Sequence, residues 1–319
     1  MTNKRAISHI IVDAHCDTLS LATKLQGDLL SLPPPAQVDF TRLLEAKVNL
    51  QFFASFVDLK NPPALRQYLH QIEFFLQQVE KYKGIVHLVR RAADIDQAIK
   101  TGRLAVLLSI EGGEALEGDL GILQLYWHLG VRSLGLTWNY RNSLADGVGE
   151  EGTKGGLTKF GRLVVKEMNR LGMLIDLAHM SEAGFWEVIE LSDSPVIVSH
   201  ANCRKLQDHP RNLTDAQLKG LAQKKGVLGI TLVNQFLGPG KPGVEAVLDH
   251  IEHAVEVMGF EHVGIGTDFD GVDEPVRGLE NASCWPFLIQ KMQQRGFPEN
   301  MIEHVCGKNY LRVIRSVLK

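Results

Sequence analysis

Ile10-Ile11-Val12-Asp13-Ala14-His15-Cys16-Asp17 is an apolar, β-like run that ends in two metal-ligand side chains spaced two apart. On an extended strand that spacing sends His15 and Asp17 out of one face and Cys16 out of the other, so both can grip one ion. Alone, a His-x-Asp arises often by chance and reads as a strand end entering a polar turn. The same ending recurs along the chain, however. Ala105-Val106-Leu107-Leu108-Ser109-Ile110 runs into Glu111-Gly112-Gly113, where two glycines let the backbone turn away directly behind a carboxylate. Leu174-Ile175-Asp176-Leu177-Ala178-His179 and Val196-Ile197-Val198-Ser199-His200 end in histidine. Three imidazoles and two carboxylates drawn from distant segments are the donor set that a two-metal hydrolase needs.

The fold follows from how often such runs occur. Strand-like segments lie at 10–16, 49–57, 105–110, 131–137, 172–178, 196–199, 227–233 and 263–267, with helical patterns between most of them. In Ala64 to Lys81 the residues Leu65, Leu69, Ile72, Leu76 and Val79 recur at intervals of three and four, a core-facing stripe. In Phe160 to Arg170 a second such pattern runs into Leu171-Gly172, a helix stop ahead of the fifth strand. Alternating strands and helices predict parallel strands with right-handed crossovers, closed as a single (β/α)8 TIM-type barrel. Neither a linker nor a repeat divides residues 1–319, which read as one domain. Long irregular stretches at 141–157, 234–243 and 271–286 follow particular strands and should form the rim at the carboxyl end of the barrel, where such folds do their chemistry. The eighth run, Val263-Gly264-Ile265-Gly266-Thr267-Asp268-Phe269-Asp270, delivers one more carboxylate there. Asp268 is not needed as a ligand and is free to move protons; capping the next element is its structural alternative.

Composition narrows the substrate. The 319 residues are 45% hydrophobic and carry a net charge of −3, which excludes a general electrostatic grip on nucleic acid and favours a small molecule. Met1-Thr2-Asn3-Lys4-Arg5 leads into the first strand without a signal-peptide core, and no apolar run reaches the length of a membrane span. A cytoplasmic location and no membrane partner are expected. The four cysteines show no paired spacing, so reduced thiols are expected, with packing roles for Cys16 and Cys203. His250 and His253, three apart on a predicted helix, are expected on a solvated face rather than around a metal.

From about residue 10 to its end, the sequence resembles the membrane (renal) dipeptidase family, zinc dipeptidases of the amidohydrolase-type barrel class. The resemblance rests on Val12 to Asp17, Ser109 to Gly113, Gly156 to Gly161, Asn169 to Gly172, Ile175 to Ser181, Ser199-His200, Arg211-Asn212 and Gly266 to Gly271, in that order. It implies that His15 and Asp17 hold one zinc, that His179 and His200 hold a second, and that Glu111 bridges the two. It further implies that Asp268 handles the proton, that Arg211 binds the substrate carboxylate with Arg204 as a nearby rival, and that the chain forms a homodimer. The implied substrate is a short dipeptide, possible D-residues at its C-terminal position included. With two Zn²⁺ against Asp17, Glu111 and a hydroxide, the pocket keeps roughly one positive charge, which favours an anionic transition state.

One position departs from the animal enzymes. Where they carry a histidine after the fourth strand, this chain reads Gly135-Leu136-Thr137-Trp138-Asn139. Trp138 can donate one N–H to the scissile carbonyl or serve as an apolar wall, and the wall is the preferred reading, with Asn139 a second amide donor. Another amidohydrolase-type activity, such as an acylamino-acid hydrolase or lactonase, is the alternative function. His15-x-Asp17 and the bridging place of Glu111 argue against it, since most of those relatives use His-x-His and many a carboxylated lysine. A catalytically silent binding barrel is the third reading, opposed by the intact ligand set.

Overall fold

The computed structural model describes residues 9–58 and 64–319, so the reading of residues 1–5 lies outside the described residues. Its strands are β1 (Val12–Asp13), β2 (Leu50–Phe56), β3 (Val86–Leu88), β4 (Leu104–Glu111), β5 (Val131–Gly135), β6 (Leu174–Asp176), β7 (Ile197–Ala201), β8 (Val227–Ile230) and β9 (Val263–Ile265). All pair in parallel, and the order β1-β2-β4-β5-β6-β7-β8-β9 returns to β1, closing an eight-stranded barrel surrounded by helices. These eight strands fall on the eight runs expected from sequence. The ninth, β3, attaches to the start of β4 (Val86 opposite Leu104) and has only three residues, too few to show a period.

The first strand is much shorter than the run that contains it, because side chains replace ladder bonds. The buried Asp13 carboxylate accepts the Thr267 N–H at 2.9 Å, the Thr267 hydroxyl at 2.8 Å and the His15 N–H at 3.3 Å. Backbone groups freed where β1 and β9 end are thus satisfied, as buried N–H groups must be. Asp176 does the same between β6 and β7, accepting the N–H groups of Ala178 at 3.0 Å and Ser199 at 2.9 Å.

Side chains fill the barrel. Val12, Ala14, Leu50, Phe52, Ala105, Leu107, Leu174, Ile197 and Val227 pack together with Tyr310 from the last helix, Asn309–Val317. Tyr310 is wholly buried, and a Cβ on Gly264 would lie 2.4 Å from its ring. Glycine is therefore required where the ring crosses β9. The other face of each strand packs on the surrounding helices in a second apolar layer.

The helix Ala64–Lys81 has the predicted bounds, but its buried face is centred on Tyr68, Ile72 and Phe75, with Leu65, Leu69, Leu76 and Val79 only partly buried at its flanks. The aromatic rings take the deepest positions because they bury the most area. His250 corrects the sequence reading. It lies buried on the helix Val244–Met258, where its Nδ1 accepts the Cys203 N–H at 3.0 Å and its Nε2 faces the Leu237 carbonyl at 3.1 Å. A neutral imidazole is both donor and acceptor, so it satisfies two buried loop groups that an apolar side chain would strand. His253 is partly buried and pairs with Asp215 at 2.8 Å. The four cysteines are free and buried, and no helix among the described residues is long and apolar enough to cross a membrane.

Candidate metal centre

Every expected ligand lies at the carboxyl end of a barrel strand. Two residues past β1, His15 enters the pocket with Asp17 close behind; Glu111 closes β4; His179 follows β6; His200 lies within β7. Asp268 follows β9. His179 and Asp268 both have left-handed backbones, with φ of 65° and 64°, an uncommon conformation for residues with a side chain and one that collects at functional sites.

The polar atoms converge on Glu111. Its Oε2 lies 3.5 Å from His15 Nε2, while its Oε1 lies 2.8 Å from His179 Nε2 and 3.6 Å from His200 Nε2. His15 Nε2 is also 3.8 Å from Asp17 and 3.7 Å from Asp268. Three overlapping groups result among the described residues, His15 with Asp17 and Glu111, Glu111 with His179 and His200, and His15 with His200 and Asp268, each with ligand atoms within 4.8 Å of one another. Glu111 belongs to the first two.

Outer partners fix which ring nitrogens face inward. His179 Nδ1 donates to Asn139 Oδ1 at 2.7 Å. His200 Nδ1 lies 2.8 Å from the Ser199 hydroxyl, which donates onward to Asp176, so His200 Nδ1 must donate to Ser199. Both Nε2 atoms then turn lone pairs toward each other at 2.9 Å and toward Glu111 Oε1. Three acceptors facing one point with no hydrogen between them suit a cation. On the other side, His15 Nε2 and Asp17 Oδ1 are buried without a hydrogen-bond partner, and a Cβ on Gly271 would come within 2.3 Å of Asp17 and 2.5 Å of Asp268. The donor set fits divalent ions in the two groups that share Glu111.

Charge follows the same geometry. Burial, with Arg211 adding to it, pushes the His179 imidazole down to about 4, and burial and His15 lower that of His200. Both are neutral at pH 7, the form a ligand needs. Burial opposes ionisation of Glu111, but His15 and His179 outweigh it and hold the carboxyl well below its usual range. Burial raises Asp268 well above the ordinary carboxylate range; His15 draws it back, and Asp17 and Glu111 push it further up.

A cavity of about 340 Å³ opens over this cluster, lined on one side by Phe56, Trp138 and Asn139 and on the other by Arg211, Val233 and Phe236. Trp138 stands 5.3 Å from Phe56, 5.4 Å from Tyr140 and 6.0 Å from His179 between ring centroids, an aromatic wall. Arg211 is buried with its guanidinium 5.4 Å from the Phe236 ring; one nitrogen donates to the His200 carbonyl at 3.2 Å, and Nε has no partner. Arg204 instead lines a separate cavity and pairs with Asp208. Sequence reasoning missed three supports. Tyr68 donates to the Glu111 carbonyl at 2.8 Å, and Asp176 and Ser199 brace His200. A lone Asp inside the apolar run before His179 was the available signal.

Residues 3–319 match the family model described as membrane dipeptidase (peptidase family M19). Dipeptidase verJ of Clonostachys rogersoniana is 35% identical over 88% of this chain and 76% of its own length, and dipeptidase tcpJ of Claviceps purpurea is 32% identical over 88% and 69%. Among solved structures, a metallo peptidase from Rhodobacter sphaeroides, liganded with a phosphinate mimic of the dipeptide L-Ala-D-Ala, superposes with a TM-score of 0.90 at 28% identity, covering 97% of this chain and 100% of that one.

Replacing Asn139 by Leu removes the acceptor that orients His179. Divalent-metal affinity, measured by competition with a chromophoric chelator, should fall about tenfold to a hundredfold, the usual effect of losing an outer partner of a ligand histidine. An unchanged affinity would mean that His179 needs no such orientation.

Proposed function

This chain belongs to the membrane dipeptidase family and is a metal-dependent hydrolase of the peptide bond in dipeptides, and from that premise we propose that it works with two zinc ions bridged by Glu111. His15 and Asp17 hold one ion, and His179 and His200 the other. The observation that carries this reading is the division of the Glu111 carboxylate, with one oxygen turned to His15 and the other to His179 and His200. Zinc, when bound, lowers the pKa of a coordinated water toward neutrality and polarises the scissile carbonyl.

The remaining work belongs to side chains of this protein. Asp268 takes the proton of the attacking water and hands it to the leaving amine, a role supported by its place on the cavity wall, 3.7 Å from His15 Nε2. Arg211 grips the substrate's C-terminal carboxylate. Its unpartnered Nε and its position on the cavity wall support this role, and a fork of donors suits a carboxylate bidentately. A free carboxylate so close to the reacting bond selects dipeptides over longer chains. Trp138 is a wall against the substrate side chain, in keeping with its stacking among Phe56, Tyr140 and His179. The L-Ala-D-Ala mimic held by the Rhodobacter relative supports extending the substrate to D-residues at the C-terminal position.

Asp268→Asn should retain its metal and lose at least about 10²-fold in kcat, the scale of a general acid/base. Retained kcat would remove Asp268 from the proton path. For Arg211→Met, KM should rise on free dipeptides and change least on dipeptide amides. Equal losses on both substrates would take Arg211 out of the carboxylate role.

A further inference from the structure

Lys24 lines the metal-centre cavity, and the proposed chemistry leaves its charge unused. It sits on the helix Thr18–Leu25, which starts directly after Asp17, and both Ser20 and Lys24 line the cavity. Asp17, Ser20 and Lys24 are spaced three and four apart, so they share one helix face, and Lys24 stands about 10 Å along the axis from the metal-side carboxylate. The Ser20 hydroxyl donates to the Phe56 carbonyl at 2.7 Å, tying this face to the aromatic wall of Phe56 and Trp138 rather than to the Arg211 side.

Among the described residues no carboxylate pairs with Lys24, although four acids line the same cavity. Asp17, Glu111 and Asp268 face His15, and the Asp270 carboxylate is occupied by the Thr18 hydroxyl at 2.6 Å and the Gln37 N–H at 2.6 Å. A flexible ammonium on the wall of a substrate cavity, with every neighbouring acid engaged elsewhere, is placed to meet an acid carried by the substrate.

We infer that Lys24 is a specificity residue that selects dipeptides with an acidic side chain on the amino-terminal residue. The inference rests on the reading that Arg211 holds the C-terminal carboxylate. With that end fixed beside Phe236 and the scissile carbonyl over the metal ligands, the side chain of the first residue extends toward Phe56 and Lys24. A glutamyl carboxylate is the partner that this ammonium lacks on the cavity wall; an alanyl side chain offers none.

The test compares Glu-Ala with its neutral isostere Gln-Ala, and Ala-Glu with Ala-Gln, on the zinc-loaded protein. At low ionic strength wild-type kcat/KM should favour Glu-Ala over Gln-Ala by about fivefold, as expected for an exposed ion pair, and added salt should shrink the preference. Lys24→Met should erase that ratio, Lys24→Glu should invert it, and neither should alter the Ala-Glu to Ala-Gln ratio or turnover of Ala-Ala. A ratio near one in wild type, a ratio that survives Lys24→Met, or an effect confined to Ala-Glu overturns the inference. Turnover of Ala-Ala separates such a failure from failure of the dipeptidase reading, which would abolish all five reactions.

Discussion

The pocket is organised by the sharing of one buried carboxylate. Glu111 is about 6% exposed, and each of its oxygens answers to a different set of imidazoles. A carboxylate out of water is costly unless its charge is met on the spot. Tyr68 pins its backbone from the helix Ala64–Lys81, and β4 holds it between β2 and β5 in the barrel wall, facing the imidazoles. The remaining polar atoms follow from that placement: the inward lone pairs of His179 and His200, the orphaned nitrogen of His15, and Asp268 pressed against two other acids with its carboxyl driven upward. In the proposed reading, metal ions convert this concentration of acceptors from a liability into a catalytic site.

Much of this was legible because barrel geometry turns a local pattern into a global one. A strand that ends in a polar residue delivers that residue to the carboxyl rim, so His15, Asp17, Glu111, His179, His200 and Asp268 could be gathered from sequence before any contact was known. The supports were not legible, because they depend on which helix face or loop arrives beside each ligand. Nothing in the spacing of Tyr68 points to the Glu111 carbonyl, 43 residues away. Asn139, read as a substrate-facing amide, lines the cavity, and its side-chain oxygen also engages His179, a contact its spacing does not reveal. His250 reads as a surface histidine from its charged neighbours, yet it is buried, because the loops after β7 and β8 leave an N–H and a carbonyl that only a donor-acceptor ring can serve. The three-residue β3 was missed for want of length.

Rigid and adaptable parts of the site come from different levels of the fold. The floor is a packed core with Tyr310 at its centre, and the ligands hang from strand ends braced by Asp13 and Asp176, two acids that substitute side-chain bonds for ladder bonds. Above them the walls are loop and helix side chains: Phe56 and Trp138 on one side, Val233 and Phe236 on the other. In the proposed reading, chemistry is set by strands and choice of substrate by the rim, where Trp138 stands.

The central claim is that one carboxylate serves two metal ions, and metal content in a Glu111→Gln variant tests it most directly. Elemental analysis of zinc-loaded, desalted protein should find about two zinc ions per wild-type chain, the content of a bridged binuclear hydrolase. A neutral amide cannot balance either ion, so the variant should lose both together while circular dichroism reports an intact barrel. Retention of one tightly held ion with loss of the other would contradict the account and make Glu111 a terminal ligand of a single site.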